Sequence, residues 1–149
     1  IGLSLGADVP FFLHRGPAFV RGIGEQIEVI PFKNERYWVI KPAAGVATRS
    51  IFGSPSLRRD TNPATISAFV EDPFGFGRND LQPVAEQLCG EITQVSEWLK
   101  KQGLTPRMTG SGSAVFAPVG PHSEISPVPS GWMMRECCSL EAHPLATWV

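Results

Sequence analysis

Residues 107–117 read Arg-Met-Thr-Gly-Ser-Gly-Ser-Ala-Val-Phe-Ala. A short apolar run enters a loop of glycine and serine, and a second apolar run leaves it. The pattern predicts strands at Arg107–Thr109 and Ala114–Val119, joined by the loop Gly110–Ser113. Two strands so close in sequence pair antiparallel, because a parallel pair needs a long crossover connection.

The rest of the chain adds further strand signals of the same kind. β-prone runs at Gly16–Arg21 and Gln26–Ile30 flank Gly22-Ile23-Gly24, which predicts a hairpin whose turn explains these glycines. Tyr37–Ile40 and Trp132–Cys138 are two more predicted strands. Hairpin signals interleaved with helices favour an α+β fold, with a mostly antiparallel sheet and helices packed on one face.

Glu91–Gln102 is the clearest predicted helix. Ile92, Val95 and Leu99 recur at helical spacing, and Gly103 follows as a stop signal. Thr48 is expected to cap a short helix that runs through Phe52. A further helix is expected over Asn79–Leu88, begun by an Asn or Asp cap.

Composition limits the classes of function. The 149 residues include 42% hydrophobic and 18% charged residues with a net charge of −1, which allows one core and shows no basic footprint for nucleic acid. No apolar run approaches the roughly 20 residues that span a bilayer. Cys89, Cys137 and Cys138 make a poor disulfide framework and show no zinc spacing, so a cytoplasmic protein without a metal site is expected.

Asp8 is the first candidate for chemistry. It lies in Leu-Gly-Ala-Asp-Val-Pro-Phe-Phe, residues 5–12, and a partly buried carboxylate among apolar neighbours must be paired, capping or functional. On local pattern alone, a helix cap or a turn is the favoured interpretation.

The loop Gly110–Ser113 is the second candidate. Its glycines allow backbone N–H groups to converge on an anion, but a tight hairpin chosen for glycine's conformational freedom explains them equally well. Ser111 and Ser113 lack the context of a hydrolase nucleophile, and the three histidines, His14, His122 and His143, share no ligand or triad spacing. Glu25, after the glycine turn, is expected only to be solvated.

Taken in order, these segments resemble the GHMP family of small-molecule kinases, and within it the kinases of 4-diphosphocytidyl-2-C-methyl-D-erythritol. The resemblance covers most of residues 2–119. It is carried by residues 5–12, Gly22–Glu25, Pro42 with Val46–Phe52, Asn79-Asp80-Leu81, and residues 107–117.

The resemblance implies transfer of the γ-phosphoryl group of ATP to the 2-hydroxyl group of that alcohol, a step of non-mevalonate isoprenoid synthesis. Asp8 would be the catalytic aspartate that takes or orients the hydroxyl proton. Phe52 would stack on the cytosine, and Thr48 would also bind the substrate. Gly110, Ser111, Gly112 and Ser113 would lie by the phosphate groups. ATP, with Mg2+, is the implied co-substrate.

Two family motifs are absent from the chain: the segment with the lysine partner of the aspartate, and the Gly-rich loop for the ATP phosphates. Both would precede Ile1, so we expect residues 1–14 to end an N-terminal domain and residues 15–149 to form the C-terminal domain. The chain alone is then expected to be inactive, with the missing N-terminal half as its partner and an exposed apolar patch at Val9–Leu13.

Residues 120–131 are short and Pro-rich where the family usually has a helix. Two alternatives stay open. One is another GHMP kinase, of the mevalonate or homoserine type. The other is a non-catalytic binding module with the same fold.

Overall fold

The computed structural model describes residues 2–14, 16–31, 34–124 and 126–144. The chain divides into two compact units, one formed by Ile1–Glu35 with Cys138–Val149 and the other by Arg36–Cys137. No helix in the described ranges is long and apolar enough to cross a membrane.

The described residues of the first unit form two short helices and a hairpin. Helix α1 is Gly2–Leu5 and helix α2 is Val9–Leu13. Strands β1, Ala18–Arg21, and β2, Gln26–Val29, pair antiparallel with Ala18 opposite Val29. The predicted hairpin is therefore confirmed.

The hairpin turn has a tertiary contact that the sequence did not predict. Gly24 has φ +118°, and a Cβ atom there would lie 2.0 Å from the carbonyl oxygen of Ala7. Only glycine fits this approach of one backbone to another. The Glu25 carboxylate accepts the Ile23 N–H at 2.8 Å. Backbone hydrogen bonds from Glu25 itself and from Ile23 lower the pKa of this carboxyl, so Glu25 braces the turn and is not simply solvated.

The second unit is built on a four-stranded sheet in the order β4-β5-β3-β6. Its strands are β3 (Arg36–Lys41), β4 (Arg107–Met108), β5 (Val115–Val119) and β6 (Met133–Cys138). Strand β5 pairs antiparallel with β3 and with β4. Burial alternates along β3 and β5, so one face of the sheet enters the core through Trp38, Ile40, Val115, Ala117 and Val119.

In the described part of the second unit there are four helices: α3 (Thr48–Phe52), α4 (Ile66–Glu71), α5 (Gln82–Leu88) and α6 (Gly90–Lys101). The predicted apolar stripe of α6 is fully buried against the sheet residues of the core. The helix ends as expected, with Gly103 at φ +76° and its N–H bonded to the Lys100 carbonyl. The predicted α+β fold is confirmed.

Two predicted helix starts are wrong. Helix α5 begins at Gln82, three residues after Asn79, and its N-cap position is Leu81. Helix α3 has Ala47 at its N-cap position, without a side-chain cap bond. The side chains of Asn79 and Thr48 bind a distant loop instead.

The segment 120–131 forms no helix in its described residues, which are 120–124 and 126–131. Two contacts hold this segment and the residue after it near the end of helix α6. The Ser126 hydroxyl donates to the Gln102 side-chain oxygen at 3.0 Å, and the Trp132 ring packs edge-on against Trp98 with centroids 6.1 Å apart. These contacts pack the region beside α6 although it contains no helix of its own.

Candidate functional site

The glycine–serine loop, residues 109–114, connects β4 to β5. The Thr109 N–H donates to the Ala114 carbonyl at 3.0 Å, and the Gly112 N–H donates back to Thr109 at 3.1 Å. Gly112 has φ +89°, and a Cβ atom there would lie 2.8 Å from the Met108 sulfur. The backbone conformation favours glycine at this position, and a Cβ atom would also have to displace the Met108 side chain.

Two serine hydroxyls join this loop to the segment that leads into helix α3. The Thr48 and Ser111 hydroxyl oxygens are 2.7 Å apart and share a hydrogen bond. The Ser113 hydroxyl, only 5% exposed, donates to the Ala44 carbonyl at 2.9 Å. The structure thus brings together Thr48 and the loop, which the sequence analysis singled out separately.

Ala44 is held from its other side as well. Its N–H donates to the Glu91 carboxylate, at the start of α6, at 3.2 Å. A backbone amide, a helix and the glycine–serine loop are therefore linked through a single residue. This linkage fixes where the segment enters helix α3 relative to the loop.

Asn79 is the residue that sequence analysis missed as a part of the site. Its side-chain amide donates to the Met108 carbonyl at 3.0 Å and to the Gly110 carbonyl at 2.8 Å. Its side-chain oxygen accepts the Leu81 N–H at 3.0 Å. The signal was the Asn-Asp-Leu motif, which we interpreted as a helix start because its long-range partners are not visible in the local sequence.

Phe52 ends helix α3 next to a fully buried neighbour. Ile51 is anchored in the core, whereas the Phe52 side chain is 54% exposed. The Arg59 guanidinium donates to the Phe52 carbonyl at 2.6 Å and so fixes the backbone at this point. An exposed aromatic ring on a fixed backbone is suited to stacking against a flat ligand.

Asp8 lies in the first unit, just before helix α2. It is exposed, so the prediction of a partly buried carboxylate is wrong. It occupies the N-cap position of α2, but its side chain makes no cap hydrogen bond. Of the two favoured interpretations, the capping side chain is therefore wrong, whereas Asp8 does lie in a turn, directly before α2. Nearby, Phe11, Phe12 and Leu13 are exposed, which confirms the expected apolar patch.

Charged groups near the start of α5 pair with one another. The Arg78 guanidinium lies 2.7 Å from the Asp80 carboxylate and also donates to the Thr61 hydroxyl at 2.6 Å. A hydrogen bond from Thr61, and then the charge of Arg78, lower the pKa of the Asp80 carboxyl. Across the described ranges, no three His, Cys, Asp or Glu side chains come together as a metal site.

Residues 66–132 match a family model described as "GHMP kinases C terminal". The chain carries a GHMP kinase C-terminal domain. The matched range includes Asn79, helices α5 and α6, and the glycine–serine loop, so the polar contacts of Asn79 lie entirely within this domain.

Relatives of the GHMP kinase C-terminal domain found here are similar over the whole chain. A protein of Polaromonas naphthalenivorans (strain CJ2), named 4-diphosphocytidyl-2-C-methyl-D-erythritol kinase, is 53% identical over 99% of this chain and 51% of its own length. One of the same name from Acidovorax sp. (strain JS42) is 50% identical over 100% of this chain and 54% of its own length. The chain spans about half the length of the curated relatives it matches.

A solved structure has the same fold. The crystal structure of 4-(cytidine 5'-diphospho)-2C-methyl-D-erythritol kinase is similar with a TM-score of 0.64 and 30% sequence identity. The similarity covers 78% of this chain and 45% of that one. The GHMP kinase C-terminal domain is thus supported by sequence and by fold.

Proposed function

We propose that the complete polypeptide containing this chain is an ATP-dependent kinase. It transfers the γ-phosphoryl group to the 2-hydroxyl group of 4-diphosphocytidyl-2-C-methyl-D-erythritol. The observation that supports this most is the 53% identity, over 99% of the chain, to a relative named as that kinase. The exposed Phe52 ring and the glycine–serine loop are consistent with a site for a cytidine diphosphate derivative.

In this proposal Asp8 accepts the proton of the attacking hydroxyl group, or orients that hydroxyl group. Phosphoryl transfer asks little covalent chemistry of the protein, so positioning and charge stabilisation dominate. A general base must be free to approach the substrate. The exposed Asp8 carboxylate, not engaged in capping, meets that requirement.

The loop Gly110–Ser113 is proposed to donate backbone N–H groups to the phosphate oxygens as charge develops on them, except for the Gly112 N–H, which already binds the Thr109 carbonyl. Preorganised donors of this kind need no rearrangement during the reaction. Thr48 is proposed to bind the substrate through its hydroxyl, which already shares a hydrogen bond with Ser111. Phe52 is proposed to stack on the cytosine.

ATP is the proposed phosphoryl donor, accompanied by Mg2+. The described residues bring together no carboxylate cluster for a metal ion, so we propose no magnesium ligand in this chain and no step that depends on one. The Gly-rich loop for the ATP phosphates would lie in the half of the relatives that the chain does not match. Residues 1–14 would then end the N-terminal domain and residues 15–149 form the C-terminal domain. Three unpaired cysteines favour a cytoplasmic location.

The test is an ADP-release assay on the complete polypeptide with three alcohols. We expect turnover with 4-diphosphocytidyl-2-C-methyl-D-erythritol, and kcat/KM values for mevalonate and homoserine lower by at least about 1,000-fold, since a site built to pair a substrate's polar groups rejects analogues that lack them. Preferred turnover of either other alcohol would assign a different GHMP activity. Cytidine diphosphate binding without turnover of any alcohol would support a non-catalytic module.

A further inference from the structure

We infer that Asn79 is a positioning residue for phosphoryl transfer, whose side-chain amide holds the glycine–serine loop in its working shape. The inference rests on the proposed kinase function. It concerns a residue that touches neither reacting group and acts through the loop that it binds.

The hydrogen-bond partners of Asn79 determine the orientation of its side-chain amide. An amide nitrogen is a double donor and an amide oxygen an acceptor. The nitrogen faces two carbonyl oxygens, of Met108 and Gly110, and the oxygen faces the Leu81 N–H. A flipped amide would place oxygen against oxygen, so the three bonds together allow only one orientation.

Asn79 and Gln82 together occupy the place of a missing neighbouring strand. Among the strands of the described residues, β4 is at the edge of the sheet and pairs with β5 alone. On the other side, the Met108 N–H donates to the Gln82 side-chain oxygen at 2.9 Å, and the Met108 carbonyl accepts from Asn79. Unpaired backbone groups at a sheet edge must find such partners.

Asn79 reaches two residues further along the chain than Gln82, into the loop itself. It binds the Gly110 carbonyl at a residue with φ +55°. In a trans peptide the carbonyl and the following N–H point in opposite directions. The Ser111 N–H is therefore directed away from Asn79, and in the described part of the chain no protein group accepts it.

The neighbouring peptide supports this reasoning. The Met108 carbonyl points to Asn79, and the following N–H, of Thr109, points the opposite way and donates to Ala114. By the same geometry, Asn79 holds the Ser111 N–H turned away from itself, and we infer that this N–H is a donor for an oxyanion. A donor held in advance stabilises developing charge without the cost of rearrangement.

If Asn79 served only to start helix α5, it would need only its side-chain oxygen. The Asn79 oxygen accepts the Leu81 N–H, and an aspartate could make the same bond. The two bonds to loop carbonyls need the amide N–H groups, which aspartate lacks. Asn79→Asp therefore separates the helix start from the loop, and it places a negative charge against two carbonyl oxygens.

The experiment compares Asn79→Asp with the unmodified complete polypeptide. We expect kcat to fall about 100-fold, because a small misplacement of a positioned group costs this much, while the KM values for ATP and for the alcohol change by less than about threefold. The Ser111 and Gly112 amide resonances should shift and exchange with solvent faster. Asn62→Asp is the matched control. Asn62 is an exposed loop residue, so the same change there should alter neither kcat nor these resonances.

Asn79→Ser is the second variant, in case the aspartate prevents folding. It keeps an acceptor for Leu81 and adds no charge, and it should lower kcat in the same direction. Unchanged kcat with unchanged Ser111 resonances would overturn the inference. A variant whose kcat falls only in proportion to the folded fraction, at unchanged Ser111 resonances, would show a merely structural role and also overturn it. If the unmodified polypeptide does not phosphorylate the alcohol, the proposed function fails. The resonances then test the anchoring of the loop by themselves: shifted Ser111 resonances in the variants support it, and unshifted ones refute it.

Discussion

At the glycine–serine loop, side chains distant in sequence make the hydrogen bonds that define a backbone shape. Thr48 bonds to Ser111, Ser113 bonds to the Ala44 carbonyl, and Asn79 bonds to the Met108 and Gly110 carbonyls. Each partner pair is separated by between 29 and 69 positions in sequence. The loop geometry is therefore a tertiary property, although its glycines are local.

Asp8 is the residue whose change should matter most for chemistry. We expect Asp8→Asn in the complete polypeptide to lower kcat by between about 100- and 10,000-fold, because a general base typically contributes this much. The side chain is exposed and caps no helix, so the melting temperature and ATP binding should stay unchanged. Asp60→Asn, at an exposed loop position, is the matched control. Full turnover of Asp8→Asn would remove Asp8 from the mechanism.

Phe52 should affect substrate binding and not stability. We expect Phe52→Ala to raise the KM for the cytidine substrate by about 5- to 100-fold, which corresponds to the ~1–3 kcal/mol that stacking a base on an aromatic ring provides. Because the ring is more than half exposed, the free energy of unfolding should hardly change. Phe52→Trp keeps a flat aromatic face and should restore the KM. An unchanged KM in Phe52→Ala would exclude stacking.

Gly112 should tolerate no side chain. We expect Gly112→Ala to lower the free energy of unfolding by about 1–3 kcal/mol, since its backbone conformation is costly for other residues and its Cβ would lie 2.8 Å from the Met108 sulfur. Gly90→Ala is the control. A Cβ atom at Gly90 meets nothing within 4 Å, so this variant should be neutral or slightly stabilising in urea denaturation. Equal effects of the two variants would contradict the described loop geometry.

At the scale of elements, helix α6 holds the second unit together through its buried stripe. We expect Leu99→Ala to cost about 2–5 kcal/mol, the usual range for emptying a packed leucine site. Leu99 is 0% exposed, whereas Leu88 at the end of α5 is 54% exposed. Leu88→Ala should change the free energy of unfolding by about 0.5 kcal/mol. Urea denaturation measures both, and a Leu99→Ala variant as stable as Leu88→Ala would refute this packing.

The elements also show what local sequence can predict. Helix α6 was predictable because apolar periodicity and a terminal glycine are local signals that agree with the packing. The starts of α3 and α5 were not, since Thr48 and Asn79 are good capping residues whose side chains bond to a loop far along the chain. Capping preferences were overridden by tertiary contacts.

For the whole molecule, the fold and the family could be predicted from the order of motifs, whereas the hydrogen bonds of the site could not. Residues 107–117 indicated two strands and a glycine loop, and both strands form. The exposure of Asp8 could not be predicted, because its apolar neighbours Phe11 and Phe12 are themselves exposed. A sequence pattern identifies the apolar residues of a segment, but it does not predict which of them are buried within this chain.

The proposed reaction is tested most directly by the 31P NMR spectrum of the product. The complete polypeptide is incubated with ATP, Mg2+ and 4-diphosphocytidyl-2-C-methyl-D-erythritol. We expect one new phosphomonoester resonance, coupled to no proton on its attached tertiary carbon, with the substrate's diphosphate intact and one ADP formed per product. Release of inorganic phosphate without a new phosphomonoester, or phosphorylation of a different hydroxyl group, would contradict it.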